Sequence, residues 1–322
     1  MNAKRNQSAE LTPPAPKRKP SDGRAQRWMI MGAVIVALVA GTCYLVWQEV
    51  GPHVLASGQY QVEPDQIRVA PPPPPWVRSD IKSDVIRQAR LDGPLSIVDR
   101  DLTVRIAAAF AAHPWVARVD RVSKQFPSGL DVVLSYRKPA AMVEVQDGAG
   151  GLPVDAGGVL LPTKDFSAQD ADEYPRIGEI HSKPLGPPGG AWGDPCVVGA
   201  AQIAAELAPD WKSLGLFRIV PAERKAARSG VEYTYSLVTR SGTKIHWGRS
   251  PATTMPGEVP AAKKIAQLKR YAAQNKGSLD DPDGQPHEIV ISPTGALLSN
   301  PRPNIESLPK HSEETRLQKR LE

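Results

Sequence analysis

The longest uninterrupted apolar run is Trp28–Trp47, WMIMGAVIVALVAGTCYLVW, twenty residues without a charge. At about 1.5 Å per helical residue it spans roughly 30 Å, the thickness of a bilayer's hydrocarbon core. The pattern predicts a transmembrane helix over 28–47. Trp28, Tyr44 and Trp47 fall at its ends, where amphipathic rings prefer the membrane interface. A cleaved signal peptide fits less well: the run is too long for its apolar region, and no small-x-small site follows closely. A lipoprotein reading of LVAGTC fails at Thr42, where a small Gly, Ala or Ser belongs before the cysteine.

Downstream the apolar positions change period. Asp84–Leu91 (DVIRQARL) reads as a strand, followed by a turn at Asp92-Gly93-Pro94. Leu102, Ile106, Ala109 and Phe110 recur at helical spacing behind Asp99, a capping residue, so Arg100–Ala112 is expected as an amphipathic helix. His113-Pro114 ends it. Trp115–Lys124 reads as a strand, Phe126-Pro127-Ser128-Gly129 as a turn, and Leu130, Val132, Leu134 and Tyr136 alternate with Asp131, Val133, Ser135 and Arg137 along a return strand. Val119 and Val122 are three apart, which breaks the alternation and predicts a β-bulge near Asp120-Arg121.

Beyond Lys138, strands are expected at 141–145 and 152–161, with a turn at Gly157-Gly158. Asp194-Pro195 starts a helix that runs to about Leu207. Strands follow at 216–220, 231–239 and 243–247, the last two joined at Ser241-Gly242, with Val231, Tyr233, Tyr235 and Leu237 on one face. A helix over 261–274 presents Ile265, Leu268 and Tyr271, and the strand His287–Ser292 closes the unit. The expected class is α+β: one transmembrane helix, a β-α-β-β domain over 76–137, and a second mixed α/β domain with an antiparallel sheet over 138–299. Residues 1–27 are expected as a disordered basic tail, 48–75 as a proline-rich linker, and 300–322 as a disordered charged tail. Pro71–Pro75 in the linker would form a stiff spacer of about 15 Å.

Charge settles topology rather than ligand. Of the net +6, residues 1–27 hold seven basic and two acidic groups, which leaves a nearly neutral body. Such a body is a poor match for a nucleic-acid backbone. The basic flank keeps the N-terminus in the cytoplasm and exports the rest, a single-pass arrangement in the cytoplasmic membrane.

Candidate chemistry is sparse. The six histidines, His53, His113, His181, His246, His287 and His311, fall in no metal-ligand spacing. Cys43 and Cys196 form neither a metal pair nor a disulfide framework within the soluble part. No serine occupies a GxSxG elbow, and Asp280–Gly284 (DDPDG) lacks the glutamate that completes a calcium loop, so it reads as a turn. Paired carboxylates for glycoside cleavage stay open, because their separation is a three-dimensional quantity. No catalytic residue, cofactor or metal is expected.

These features together resemble the FtsQ/DivIB family of bacterial cell-division proteins. The resemblance runs over nearly the whole chain and is most specific at Pro114-Trp115-Val116, Phe126-Pro127, Leu130–Tyr136 and Pro139-Ala140. It continues at Val154-Asp155 with Gly157, at Tyr174-Pro175-Arg176-Ile177, and at Ile245–Gly248. Where the family's last strand often reads Asp-Leu-Arg, this chain has Ile289-Val290-Ile291, so the family's individual contacts do not transfer there. The resemblance implies a POTRA-like domain, a β domain, and a non-catalytic scaffold at the division septum. It also implies FtsB-like and FtsL-like membrane partners, bound by strand addition at the last strand. Here that candidate edge is His287, Glu288, Ile289, Val290, Ile291 and Ser292, with Thr294, Gly295 and Ala296 just beyond. An ordinary core strand is the plain alternative for it. Another POTRA-containing envelope adaptor and a membrane-anchored wall hydrolase are the alternative functions.

Overall fold

A computed structural model describes residues 23–55, 60–91, 93, 95–145, 150–227, 230–253, 257–281, 283, 286–291 and 297–301. The expected terminal tails, except for residues 23–27, 300 and 301, lie outside that set, as do Asp92, Pro94, Ser292, Thr294, Gly295 and Ala296. The chain divides into two compact units, Met1–Tyr60 and Gln61–Glu322.

The first unit is the helix α1 (Gly23–Leu55), 33 residues long. Its apolar stretch, Gln26–Gly51, has a mean hydropathy of 2.3, and among the described residues it is the one helix long and apolar enough to cross a membrane. Trp28 and Trp47 lie roughly 29 Å apart along its axis. The polar groups within it are satisfied locally: the Thr42 hydroxyl donates to the Leu38 carbonyl at 2.8 Å, and the Gln48 amide donates to the Tyr44 hydroxyl at 2.9 Å.

The second unit begins inside the stretch expected to be a linker. Strand β1 (Gln61–Val62) is followed by β2 (Ile67–Ala70), helix α2 (Ile81–Gln88), strand β3 (Leu95–Ser96), helix α3 (Leu102–Ala111), and the strands β4 (Val116–Gln125) and β5 (Gly129–Tyr136). The short pair β1–β3 stands apart, while β2, β5 and β4 form a three-stranded sheet in that order. Two expectations are corrected here. Asp84–Leu91 is not a strand: Asp80 caps α2 by accepting from the Ser83 amide, and Ile81 and Val85 then bury one helical face. Ile67–Ala70 is not linker, because it pairs in parallel with Leu130–Val133, and the Pro71 carbonyl just after it accepts from the Tyr136 hydroxyl of β5 at 2.8 Å. The β4–β5 ladder skips Ala117 and Asp120, so the bulge expected from the valine spacing is present at Asp120. Its carboxyl accepts from the Ser135 hydroxyl across the ladder at 2.6 Å and from Arg118, and these bonds, Ser135 first, hold it below the usual carboxylate range.

Two residues after β5 the chain enters a larger sheet. Its strands are β6 (Pro139–Val145), β7 (Gly151–Asp155), β8 (Arg176–Ile180), β9 (Leu216–Ala227), β10 (Gly230–Thr239), β11 (Lys244–Arg249), β12 (His287–Ile291) and β13 (Leu297–Pro301), in the order β13-β12-β11-β10-β9-β8-β6-β7. The short helix α4 (Ala168–Ala171) precedes β8; α5 (Pro195–Leu207) connects β8 to β9, and α6 (Ala261–Gln274) connects β11 to β12. The expected antiparallel sheet is mixed, since β6–β8, β8–β9 and β11–β12 are parallel. Parallel neighbours need a crossover, and the helices supply two of them.

The core lies between this sheet and α5. Val143, Ile177, Ile219, Leu237, Ile245 and Ile289 occupy consecutive strands in one row, and all six are fully buried. Each contributes about 1.5–3 kcal/mol by its removal from water. Leu268 and Ala272 of α6 join the same core. Within IHWG, Trp247 is the extra residue of a bulge between β10 and β11, and Gly248 follows at φ +90°, a conformation that strains any other residue.

Candidate docking edge

The strand expected as the docking edge is present as β12, but it is not an edge. β12 is paired on both sides, in parallel with Lys244–His246 of β11 and antiparallel with β13 through five residue pairs, His287↔Pro301 to Ile291↔Leu297. The edge passes to β13, which follows the expected last strand. Alternation divides the candidate residues. His287 and Ile289 are buried and face the helices, whereas Glu288 and Val290 face outward, Val290 at 40% exposure. Ile289 is aliphatic because it is the sixth member of the buried row. The reading of His287–Ile291 as a core strand therefore holds for its inward face.

The inward histidine fixes the start of β12. His287 Nδ1 lies 3.4 Å from the Thr243 hydroxyl, and Nε2 lies 3.3 Å from the Tyr271 hydroxyl of α6. Thr239 beside them donates to Asp280 at 2.5 Å, so the expected turn at Asp280 ties the β10–β11 connection to the chain leading into β12. On the outward face, His246 lies 3.6 Å from Glu288.

Among the described residues the sheet edges differ in how they are guarded. β4 carries two bulges and the charged Arg118, Asp120, Arg121 and Lys124. β7 is overlaid by its own return, with Leu161 donating to Pro153 at 2.8 Å and Asp155 to Val159 at 3.1 Å. β13, LLSNP, has no charged residue and no bulge against β12; Pro301 at its end is its one guard, and among the described residues no strand pairs with its outer side. An edge so lightly guarded is a template for another strand.

A buried polar joint connects the two sheets. Asp165, only 4% exposed, accepts from the Trp115 indole at 2.5 Å and from the Ser79 hydroxyl at 2.7 Å. Trp115 also packs on Phe166, with ring centroids 6.0 Å apart. Arg137, at the exit of β5, pairs with Asp155 at 2.8 Å, while the other oxygen of Asp155 accepts from the Gly157 and Val159 amides at 2.9 Å. The Trp76 indole donates to the Arg137 carbonyl at 3.1 Å. His113 sits behind the joint, and its Nδ1 accepts from the Trp115 amide at 3.3 Å. Burial lowers its pKa, against the opposing pull of Asp84, so the imidazole stays neutral. Trp115 and the carboxylate it bonds lie 50 residues apart in the chain.

Two further buried groups, Cys196 and Lys264, are engaged by their neighbours. Cys196 is buried at the start of α5, where desolvation first and then Asp194 push its thiol up to about 12. Lys264, also buried, is held by the Trp247 carbonyl at 2.7 Å, by Glu258 and by the Trp247 ring, and desolvation lowers its pKa. A groove of about 440 Å³ beside α5 contains Asp194 and Glu232. Both are already engaged: Asp194 accepts from Cys196 and Ser182, and Glu232 pairs with Arg249 at 3.1 Å. Among the described residues no group of three His, Cys, Asp or Glu side chains could hold a metal ion. Comparison with protein-family models and with curated proteins gave no match to the chain.

Proposed function

We propose that this chain is a non-catalytic scaffold of the bacterial cell-division machinery, of the FtsQ/DivIB type. In this reading α1 crosses the cytoplasmic membrane with the basic N-terminal residues inside, and the second unit lies on the far side. FtsB-like and FtsL-like membrane proteins then dock on the second unit during septum formation. The observation that carries the reading is β13, an uncharged and unbulged edge that ends an eight-stranded sheet. A partner strand laid beside it gains main-chain hydrogen bonds at an edge already ordered by β12. The arrangement of the smaller sheet, with two helices between its first strand and a closing hairpin, supports the POTRA-like part of the reading, with one helix more than the sequence pattern indicated.

Adjacent residues of an edge strand point their N–H groups to opposite sides. Of Leu298→Pro and Ser299→Pro, one therefore removes an outward donor and leaves the β12 ladder intact. That variant is expected to lose the septal localisation of a fluorescent fusion while keeping the fold, and depletion of the chain should produce filaments. Normal septa on depletion, with the fusion spread evenly over the membrane, would instead favour a different envelope adaptor. Full septal recruitment of both proline variants would remove β13 as the docking edge.

A further inference from the structure

Phe126 stands at the tip of the β4–β5 hairpin with 85% of its surface exposed, the most exposed large apolar side chain among the described residues. Topology fixes which end of the unit it occupies. β2 runs parallel to β5, with Ile67 opposite Leu130, so the tip before β5 lies beside the start of β2, and Gly129 lies against the Gln66 carbonyl. This is the end at which the chain arrives from α1. β1 begins at Gln61, and the five residues 56–60 between Leu55 and Gln61 extend at most about 20 Å.

Further exposed apolar groups lie at the same end. Lys124, two residues before Phe126, donates its ammonium to the Asp99 carbonyl. That places the tip beside Val98, which is exposed, and beside the first turn of α3 with the exposed Val104. β3, two residues before Val98, pairs with β1 where the chain arrives. Arg100 and Lys124 add positive charge and the exposed Asp101 negative charge, while Asp99 pairs with Arg105 at 3.3 Å. An exposed aromatic and two valines among charged neighbours, tethered this closely to an apolar helix, have the composition of an interfacial membrane contact.

We infer that the Phe126 tip, with Val98 and Val104, is a second membrane contact, which seats in the headgroup and acyl boundary of the bilayer that α1 crosses. The occupant is lipid rather than protein, because a tether of five residues lets this end reach the bilayer. A seated tip fixes the orientation of the unit on its tether, which a single helix cannot do. The inference rests on the membrane-spanning reading of α1.

The test uses the full chain with Cys43→Ser, which leaves only the buried Cys196. Phe126→Cys carries an environment-sensitive fluorophore, and Leu185→Cys, at a position 82% exposed, is the control. Each is reconstituted singly into nanodiscs of phosphatidylcholine and phosphatidylglycerol, with and without nitroxide-labelled lipid. The probe at 126 is expected to shift to the blue and to be quenched by the nitroxide, and the probe at 185 to do neither. A probe at 126 as wet and unquenched as the control would overturn the contact and leave the spanning helix standing. A blue shift that arises only when two copies share a disc would overturn it in favour of self-association. Failure of the chain to insert at all would overturn both.

Discussion

Replacing Asp165 by alanine tests the joint between the two sheets. The carboxylate accepts from the Trp115 indole and the Ser79 hydroxyl, and its removal leaves both donors without a partner. A hydrogen bond to a charged group is worth about 1.5–3 kcal/mol, and a buried donor left unpaired costs a similar amount. The indole is wholly buried and pays that cost in full. Ser79 lies in a partly buried contact and recovers some of it from water. Relief of the carboxylate's own desolvation offsets a further part. The net expectation for Asp165→Ala is a loss of about 3 kcal/mol, a large share of the roughly 5–15 kcal/mol that stabilises a typical domain. Asp165→Asn keeps one acceptor oxygen and should lose about half as much. Urea unfolding of the full chain in detergent, followed by tryptophan fluorescence, reads this as a fall in midpoint of about 1 M or more for alanine. Hydrogen exchange should show the loss first at α2 and β4. A loss under about 1 kcal/mol, or one spread evenly through α5, would refute the assignment of the joint to Asp165.

Other sites give further expectations. Glu258→Gln strips the buried Lys264 of its counter-charge and should cost about 3 kcal/mol, more than Lys264→Met, which removes the buried charge itself; denaturation midpoints compare the two. Gly199→Ala puts a methyl against the Tyr235 hydroxyl, well inside contact distance, so it should displace the bond from Tyr235 to the Cys196 carbonyl and cost about 1–3 kcal/mol by thermal melting. Ile289→Ala should cost about 2–5 kcal/mol and Val290→Ala less than about 1, which separates the two faces of β12 in the same assay. The lowered pKa of His113 means that the unfolded chain takes up its proton first. Stability should be full above about pH 6.5 and fall as pH drops through the folded pKa below it, a slope that His113→Gln should flatten in a pH series of melts.

How much of this was legible in the sequence depended on whether the deciding contacts were local. α5 and α6 lie where the pattern put them, because Asp194-Pro195 is a start signal and Ile265, Leu268 and Tyr271 mark one face. The bulge at Asp120 was legible because one extra residue changes the spacing of two valines. Asp84–Leu91 carries a strand-like pattern because the helical pair of α2, Ile81 and Val85, begins upstream of it. β8, with Gly178 inside it and Glu179 at φ +58°, is a strand because parallel neighbours flank it on both sides. β13 has proline and asparagine where a strand pattern would have β-branched residues, and it pairs only because β12 lies alongside. Because β13 was hidden in this way, the candidate edge fell on β12. Asp165 offered no local signal, since its donors lie 50 and 86 residues away.

The parallel pairing of β2 with β5 also has a mechanical consequence. Tension on the chain from the α1 side passes the two-residue β1–β3 pair and enters the three-stranded sheet at the first residue of β2, and the covalent path toward the large sheet leaves from the last residue of β5. Because Ile67 is opposite Leu130 and Ala70 opposite Val133, those two points lie at opposite ends of the ladder. The strands are therefore pulled in shear, and the hydrogen bonds between them share the load instead of parting in turn, as they would in a hairpin peeled from its open end. Resistance to pulling is set by an unfolding rate rather than by equilibrium stability. Four residues that read as linker are thus the point where the small sheet takes up a load applied between α1 and the large sheet.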